Sequence, residues 1–323
     1  MDSFPSVPLL IITMKLRTQL HIFFIAGVII ISGPTFAQKK WAGIVLYNID
    51  HNGITGNMVV DPVVRISKGK FSYPAPIPPD TWDKPDATKI LGSYFDRYCK
   101  EEYPKGRKFE IFVDGNRCGY AKVTELDSIH SCSPVISEVS VSYTDSAVLH
   151  FIDHGLAIAG LPPRRTIRKF SVDSLLEDSL YKYAKLEFIR RGVKKEYAKD
   201  MQVREIRAVD LNGDGKPKYL VSYLINGESV KRTNYDGNIQ YSLVMILEPS
   251  PGGFTQLFSH YPDPAIPEET HTSKFVDVID LDGDGICEIV IQQVFYMKNW
   301  DYVLLKKKGD IWEQVYEGAG GGC

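Results

Sequence analysis

An internal repeat in the C-terminal part of the chain constrains its fold more than any other sequence feature. Residues 206–221, displaced by 70 positions, align with residues 276–291. In both copies an apolar run leads into a short acidic loop, and a second apolar run follows it. Self-similarity of this kind indicates that one supersecondary unit is built twice. The aligned pairs are Ile206 with Val276, Val209 with Ile279, Asp210 with Asp280, Asp214 with Asp284, and Val221 with Ile291.

Each copy predicts four antiparallel strands. The segment F-T-Q-L-F at 254–258 matches W-E-Q-V-Y at 312–316, which extends the repeat over 203–316. Each copy has the order strand, acidic loop, strand, turn, strand, Gly turn, strand, within about 50 residues, which is the size of a propeller blade. A closed propeller has about four to eight blades. Two copies therefore predict two blade-like sheets that do not close a ring by themselves.

The residues before the repeat predict a β-rich N-terminal domain over 38–165. The segments W-A-G-I-V-L-Y, K-F-E-I-F-V and V-I-S-E-V-S-V-S-Y have the composition of strands. Asp114-Gly115, which follows the second of them, is a hairpin turn signal. Residues 317–323 are glycine-rich and predict a tail.

One helix is predicted over 171–199, between this domain and the repeat. Ser174 and Glu177 have the spacing of a capping box. Four apolar residues then recur at helical spacing, with lysines and arginines between them, which predicts one buried face and a bracing role. These residues are Leu176, Leu180, Ala184 and Phe188. The fold class expected for the chain is mainly β with a minor α contribution.

The acidic loops have the spacing of a calcium site. Calcium takes 6–8 oxygen ligands at 2.3–2.6 Å. In the pattern D-x-[DN]-x-D-G-x-x-E, positions 1, 3 and 5 direct side-chain oxygens at one centre, the glycine permits the sharp turn, position 7 offers its carbonyl and position 9 closes the shell. The predicted ligands are Asp280, Asp282, Asp284, the Ile286 carbonyl and Glu288 in the second loop, and Asp210, Asn212, Asp214 and the Lys216 carbonyl in the first.

The two loops differ in charge. The second has four carboxylates; two unit charges 4 Å apart repel by about 4 kcal/mol at an effective dielectric constant of 20. The first has two carboxylates and an amide, and Lys218 stands where an acid would complete the shell. We therefore expect calcium at the second loop and weaker or no binding at the first. An EF-hand is excluded because position 12 is Val221 or Ile291. The alternative is that both loops are only tight turns.

Two other groups of residues have possible chemical roles. V-D-V-I-D-L-D-G resembles the first motif of haloacid-dehalogenase-like phosphatases, with Asp280 as nucleophile and Asp282 as acid/base. However, the motif occurs twice, and only 39 residues follow Asp284, too few for the α/β sheet of that chemistry. His150 and His154 are four residues apart, near His130 and Cys132 in sequence, but phenylalanine follows His150 where a zinc protease has its glutamate base. We interpret them as scattered histidines.

The first 37 residues predict an export signal. Lys15 and Arg17 precede a ten-residue apolar core, and Ala37 ends a small-x-small cleavage pattern. Met14 is the expected start, since residues 1–13 carry no positive charge. The apolar core is shorter than the roughly 20 residues that span a bilayer. We expect a periplasmic or extracellular protein, cleaved after Ala37, with no transmembrane anchor in the mature chain.

Charge and cysteine content bear on the partners and the covalent links of the chain. The net charge is -2, without a long run of like charge, so we expect no nucleic-acid partner. Five cysteines lie in the mature part, and an oxidising compartment permits disulfides. Because five is odd, one cysteine stays outside the intrachain pairs. Cys118 and Cys132 are the closest in sequence, and their pairing is left open. The others are Cys99, Cys287 and Cys323.

The repeats resemble FG-GAP or VCBS-type blades, the calcium-loop β-repeats of integrin α-chain propellers and of many secreted bacterial proteins. The resemblance rests on the D-x-[DN]-G-D-G core and covers 203–316. It implies calcium at the side-chain ligands named above, and Lys218 departs from its pattern. The mixed N-terminal region and the ending V-Y-E-G-A-G-G-G-C resemble uncharacterised exported bacterial proteins with such repeats.

The function expected from the sequence is that of an exported, non-catalytic calcium-binding β-repeat protein whose surface binds a protein or a glycan. The alternative is a periplasmic or secreted hydrolase whose catalytic carboxylates the sequence does not identify. A deep cleft with two carboxylates that are not metal ligands would favour the hydrolase.

Overall fold

The structure is a computed structural model that describes residues 44–51, 58–74, 84–126, 137–143, 155–159, 166–232, 235–262, 271–295 and 300–321. The chain divides into two compact units, 1–38 and 39–323, and every described residue belongs to the second. The predicted export signal lies outside the described residues. Over these residues the structure has fifteen β-strands in antiparallel sheets and two α-helices. The prediction of a mainly β fold with a minor α contribution is confirmed.

Seven strands of the N-terminal region form one antiparallel sheet. They are β1 (Ile44–His51), β2 (Met58–Ser67), β3 (Lys70–Ser72), β4 (Lys108–Val113), β5 (Asn116–Leu126), β6 (Ser137–Tyr143) and β7 (Gly155–Ile158). Their order is β1-β7-β4-β5-β6-β2-β3, and β1 also pairs with β2. The three segments predicted as strands form β1, β4 and β6, so these predictions are confirmed. We call this sheet the N-terminal sheet.

A helix that the sequence analysis does not predict lies in the same region. Helix α1 covers Ala87–Glu102 and follows residues whose sequence is rich in proline. Its Tyr98 is fully buried, and Phe95 and Cys99 pack against the core of the N-terminal sheet. The region predicted to be β-rich over 38–165 therefore also contains a helix of sixteen residues.

The turn between β4 and β5 confirms the hairpin signal. Asp114 and Gly115 both have positive φ, 48° and 69°, as the two central residues of a type I′ turn require. A Cβ atom at Gly115 would lie 3.0 Å from the Val278 carbonyl oxygen and closer still to the Ile167 side chain. Glycine is therefore needed both for the turn and for the close approach of this hairpin to the C-terminal strands.

The C-terminal part contains two four-stranded antiparallel sheets. Sheet two consists of β8 (Gln202–Val209), β9 (Lys218–Arg232), β10 (Tyr235–Ser250) and β11 (Gly253–His260); sheet three consists of β12 (His271–Ile279), β13 (Glu288–Phe295), β14 (Trp300–Lys308) and β15 (Ile311–Gly321). In both sheets sequential strands are neighbours. Each acidic loop connects the first two strands of its sheet. Because β15 continues to Gly321, residues 317–321 of the predicted tail pair with β14.

Helix α2 (Ser174–Arg190) covers one face of sheet two. Leu180, Ala184 and Phe188, three of the four predicted core residues, are fully buried against strands β9 and β10. The helix begins after Asp173, whose carboxylate accepts a hydrogen bond from the Leu176 N–H at 2.8 Å, so the predicted cap at Ser174 is one residue late. The helix ends at residue 190 rather than 199, and a 3-10 turn, Tyr197–Asp200, follows it.

Sheet three is covered on both faces. One face shares a hydrophobic cluster with sheet two, where Val244 and Ile246 meet Ile289 and Ile291. The other face shares a cluster with the N-terminal sheet. Six consecutive residues of β13 are therefore buried, 288 to 293, although a sheet with one solvent-facing side buries alternate residues. This position places the start of β13, where the second acidic loop ends, inside the protein.

Candidate metal centre

Asp280 organises the second acidic loop. It is 4% exposed, and its carboxylate accepts hydrogen bonds from the N–H groups of Gly283 at 2.6 Å and Gly285 at 3.2 Å. These glycines have φ of 81° and 84°, values that side chains other than glycine rarely adopt. The alternation of aspartate and glycine in the sequence thus folds the chain into a tight coil around one buried carboxylate.

The remaining acids of the loop are fixed by further backbone groups. The Asp284 N–H donates to Asp282 at 3.3 Å, and the Ile286 N–H donates to Asp284 at 2.8 Å. The Leu281 N–H donates to Glu288 at 2.8 Å. Asp282 and Asp284 are exposed, with 43% and 44% of their side chains accessible, whereas Glu288 is 1% exposed. The loop therefore carries two inner and two outer carboxylates.

Three of the four predicted carboxylates converge. One oxygen each of Asp280, Asp282 and Glu288 can be chosen so that all three lie within 4.8 Å of one another. Oxygens on opposite sides of a calcium ion are about 4.6–5.2 Å apart, so this spacing fits one shared cation. Asp284 is not part of this triad. The carbonyl of Ile286 stays a predicted ligand. Among the described residues, this triad is the only such group of acidic, histidine or cysteine side chains.

A lysine that the sequence analysis does not consider reaches into the triad. The Lys306 ammonium contacts Asp282, lies 3.0 Å from Glu288 Oε1 and is 3.9 Å from Asp284 Oδ2. Partial burial of Lys306 opposes its charge, but the carboxylates raise its pKa overall. The two acids respond differently. Burial raises the pKa of Glu288 despite the lysine, whereas the lysine lowers the pKa of the exposed Asp282. We attribute the difference to their unequal burial.

The first acidic loop has two of the same backbone hydrogen bonds. Its Gly215 N–H donates to Asp210 at 3.2 Å and its Lys216 N–H donates to Asp214 at 2.8 Å, as at the corresponding positions of the second loop. Asn212 donates its amide to Asp214 at 3.1 Å. The Lys218 ammonium lies 3.1 Å from Asp214, and the Lys218 side chain is 3% exposed. A buried ammonium thus stands at position 9, as the sequence indicates. The Lys216 carbonyl stays a predicted ligand.

The lysines of the two loops belong to ion pairs of opposite orientation. Lys218 begins β9 and lies 3.6 Å from Glu248 of β10, one step beyond the paired residues Tyr219 and Leu247. Glu288 begins β13 and pairs with Lys306 of β14, one step beyond Ile289 and Leu305. In sheet two the lysine is on the second strand and the glutamate on the third. In sheet three the glutamate is on the second strand and the lysine on the third.

The two loops are in contact with each other. The Cys287 N–H, at position 8 of the second loop, donates to the Leu211 carbonyl, at position 2 of the first, at 2.8 Å. Leu211 is fully buried, and Leu281, its counterpart in the second loop, is 5% exposed. The two loops are therefore joined by a backbone hydrogen bond.

A second charged cluster joins all three sheets. Asp277 of β12 is fully buried and accepts hydrogen bonds from the N–H groups of Asp114 at 2.8 Å and Val278 at 2.7 Å. Arg207 of β8 lies 3.4 Å from Asp277 and 3.2 Å from the Asp114 carboxylate. Burial raises the pKa of Asp277 to about 7, although Arg207 opposes this shift. We interpret the cluster as a structural link, because its charges are directed at one another.

Two clefts were compared with the requirement for a hydrolase. The larger, of about 530 Å³, lies between sheets two and three and has one carboxylate, Glu205, which pairs with Arg207. The smaller, of about 400 Å³, lies beside α2 and has one carboxylate, Glu187, which Arg190 and Arg191 hold at 2.7 and 2.8 Å. Neither of these two clefts supplies a pair of carboxylates.

Several sequence predictions fall outside the described residues. These are the histidines and the two cysteines His130, His150, His154, Cys132 and Cys323, so the pairing of Cys118 with Cys132 stays a prediction. Among the described helices, none has the length and apolar character that crossing a membrane requires.

Comparison of the chain with protein-family models, with curated proteins and with solved structures finds no match. The resemblance to FG-GAP or VCBS-type repeats therefore stays a prediction that rests on the D-x-[DN]-G-D-G core.

Proposed function

We propose that this protein is an exported, non-catalytic calcium-binding β protein whose metal site is the second acidic loop. The observation that carries the proposal is the convergence of Asp280, Asp282 and Glu288 within 4.8 Å. All the side-chain donors are carboxylates, the ligands preferred by hard cations. The Ile286 carbonyl, Asp284 and water molecules would complete a shell of 6–8 oxygens.

Calcium fits this loop better than magnesium. Magnesium requires nearly ideal octahedral geometry at about 2.0–2.1 Å, whereas calcium tolerates irregular shells at larger distances. The triad combines two buried acids with Asp282, whose side chain is 43% exposed, and a shell that is partly open to water suits the less demanding ion. Extracellular calcium modules commonly have dissociation constants of about 0.1–1 mM.

We further propose that sheets two and three are two copies of a blade-like repeat of the FG-GAP or VCBS type. The support is that both are four-stranded meanders and that both acidic loops share their position and two backbone hydrogen bonds. In this proposal the cation would fix the β12–β13 connection, and the surface of the protein would bind a protein or a glycan in the periplasm or outside the cell.

Thermal melting of the mature chain with calcium and with chelator tests the metal site. Calcium at ten times its dissociation constant stabilises by about 1.4 kcal/mol, which raises the melting temperature by about 3–6 °C if a 1 kcal/mol change shifts it by about 2–4 °C. Asp282→Ala should remove most of this rise. Asn212→Ala, at the same position of the first loop, is the matched control and should keep it. Equal melting temperatures of the wild type in both conditions would contradict the proposal.

The hydrolase remains the alternative function. It requires two carboxylates in one cleft that are not metal ligands. Glu205 and Glu187 are single acids in their clefts and are already paired with arginines, so neither cleft favours it.

A further inference from the structure

We propose that Lys306 is an internal cation that occupies the second acidic loop without metal and that calcium must displace. The inference rests on the proposed function, because it names the residue that controls occupation of the same site. It makes calcium binding an exchange of one cation for another, and it makes Lys306 the residue that sets the affinity.

The contacts of the Lys306 ammonium carry the inference. It contacts Asp282 and lies 3.0 Å from Glu288 Oε1, so it engages two of the three acids of the triad, and it lies 3.9 Å from Asp284 as well. A calcium ion would bind the same carboxylates at about 2.3–2.6 Å. Two cations sharing these acids would repel each other strongly in a partly buried site. The ammonium and the metal therefore compete.

The surroundings of Lys306 allow it to leave. Its side chain is 27% exposed, and the strand reaches the surface two residues later at Lys308, whose side chain is 63% exposed. A lysine has a flexible four-carbon stem that can carry its charge into water while the stem stays on the protein. Displacement therefore requires a side-chain rotation and no change in the β14 backbone.

The first loop provides an internal comparison. There the lysine is Lys218, which stands at ligand position 9 itself and is 3% exposed. It cannot leave for water without opening the buried start of β9. We infer that the first loop keeps its lysine at any calcium concentration, and that only the second loop exchanges its internal cation.

Lys306 also accounts for the stability of the loop without metal. Four carboxylates lie at positions 1, 3, 5 and 9, and two of them are buried. The ammonium neutralises part of this charge, so the loop retains its coil and its backbone hydrogen bonds. A metal-free site that is already shaped loses less conformational entropy on binding than an unfolded loop would.

Calcium titration of the chelator-stripped mature chain by calorimetry tests the competition. Lys306→Met keeps the stem and removes the charge, and Lys308→Met is the matched control on the same strand. We expect Lys306→Met to bind calcium at least about tenfold more tightly than the wild type, equivalent to about 1.4 kcal/mol. We also expect it to melt at a lower temperature in chelator. Lys308→Met should match the wild type in both measurements.

The outcomes separate this inference from the proposed function. If the wild type binds calcium and Lys306→Met binds equally or more weakly, the competition is overturned while the site stands. If neither protein binds calcium, both proposals fail. If only Lys306→Met binds, the lysine blocks the site completely, which supports the competition and removes calcium binding as a property of the wild-type protein.

A second measurement uses the wild type alone and does not depend on the folding of a variant. Amine acetylation with mass-spectrometric detection should modify Lys306 several-fold faster with calcium than with chelator, because displacement exposes its ammonium. Lys308 should be modified at the same rate in both conditions, and Lys218 should stay protected in both. An unchanged rate at Lys306, in protein shown by calorimetry to be calcium-loaded, would overturn the inference.

Discussion

Exchanging the charges of one cross-strand pair should convert the first acidic loop into a copy of the second. Lys218 contacts Asp214 at 3.1 Å and Glu248 at 3.6 Å. The substitution Lys218→Glu places a carboxylate at position 9 and completes the acidic pattern. The double substitution Lys218→Glu with Glu248→Lys also restores an ion pair, in the orientation that Glu288 and Lys306 have in sheet three.

The burial of Lys218 determines how much stability Lys218→Glu should lose in chelator. Removing one partner of a buried ion pair costs about 3–5 kcal/mol. Asp214 and Glu248 are 35% and 37% exposed, so water screens part of the new repulsion and we expect the lower end, about 3 kcal/mol. This corresponds to a decrease of about 6–12 °C in melting temperature. The double substitution should recover about half of the loss, because the pair reforms at a site built for the opposite orientation.

Lys218→Glu, the less stable of the two variants in chelator, should show the larger calcium-dependent rise in melting temperature. In an Asp282→Ala background, which silences the second loop, Lys218→Glu should gain a calcium-dependent rise of about 3–6 °C at tenfold excess over its dissociation constant. The double variant should gain less, because its introduced ammonium competes as Lys306 does. The assay is thermal melting of Asp282→Ala alone, with Lys218→Glu added and with the double substitution added, each with calcium and with chelator. If the double substitution recovers no stability, or if neither variant responds to calcium, the arrangement of charges is not what distinguishes the loops.

Two further predictions concern other parts of the molecule. Burial raises the pKa of Asp277 to about 7 from its usual value near 4. Between these pH values the folded state therefore keeps a proton on Asp277 that the unfolded state has released. The stability gained from this proton is lost as pH rises from about 4 to 7. Asp277→Asn should remove this component, about 4 kcal/mol at about 1.4 kcal/mol per pKa unit, and equal pH slopes of unfolding free energy for variant and wild type would contradict it. The native protein should begin at Gln38, and N-terminal sequencing that finds Met1 or Met14 would exclude the predicted cleavage.

Local patterns in the sequence predict the loops and the strands well. The positions of the aspartates and glycines predict a coil, in which Asp280 binds two backbone N–H groups, and three of the four predicted carboxylates converge there. The Asp114-Gly115 turn follows in the same way from two residues that adopt positive φ. In these cases neighbouring residues determine the conformation, and no distant contact is needed to identify it.

Helix α1 is not among the predicted helices, although its sequence has helical periodicity. Leu91, Phe95, Tyr98 and Glu102 follow the spacing i, i+4, i+7 and i+11 of one helical face, and three of them are buried. Two of the four are aromatic and one is charged, so the face does not stand out as apolar. The buried Glu102 is paired with Arg65 and Arg107, which lie 3.4 and 2.7 Å from it, and Arg65 comes from strand β2.

No local sequence pattern predicts the contact of Lys306 with the second acidic loop. It lies eighteen residues after Glu288, on the far side of a hairpin, and only the register of β13 with β14 brings the two together. A signal does exist in the repeat itself, because the register of the third strands makes Lys306 the counterpart of Glu248. One copy has a lysine at position 9 and a glutamate on the next strand, and the other copy has the reverse, so both copies hold an oppositely charged pair at this place.

In the proposed competition, the orientation of that pair separates the two loops. If the lysine is at position 9, as Lys218 is, its ammonium is held by the buried start of a strand and replaces a ligand permanently. If the glutamate is at position 9, the lysine reaches the loop from the neighbouring strand with a quarter of its side chain in water, and the carboxylate remains for a metal after the lysine leaves. In the proposed competition, the same two residue types thus give one loop closed by its own cation and one loop whose cation calcium would displace. We therefore expect the charge at position 9, together with its cross-strand partner, to determine whether such a loop exchanges its cation.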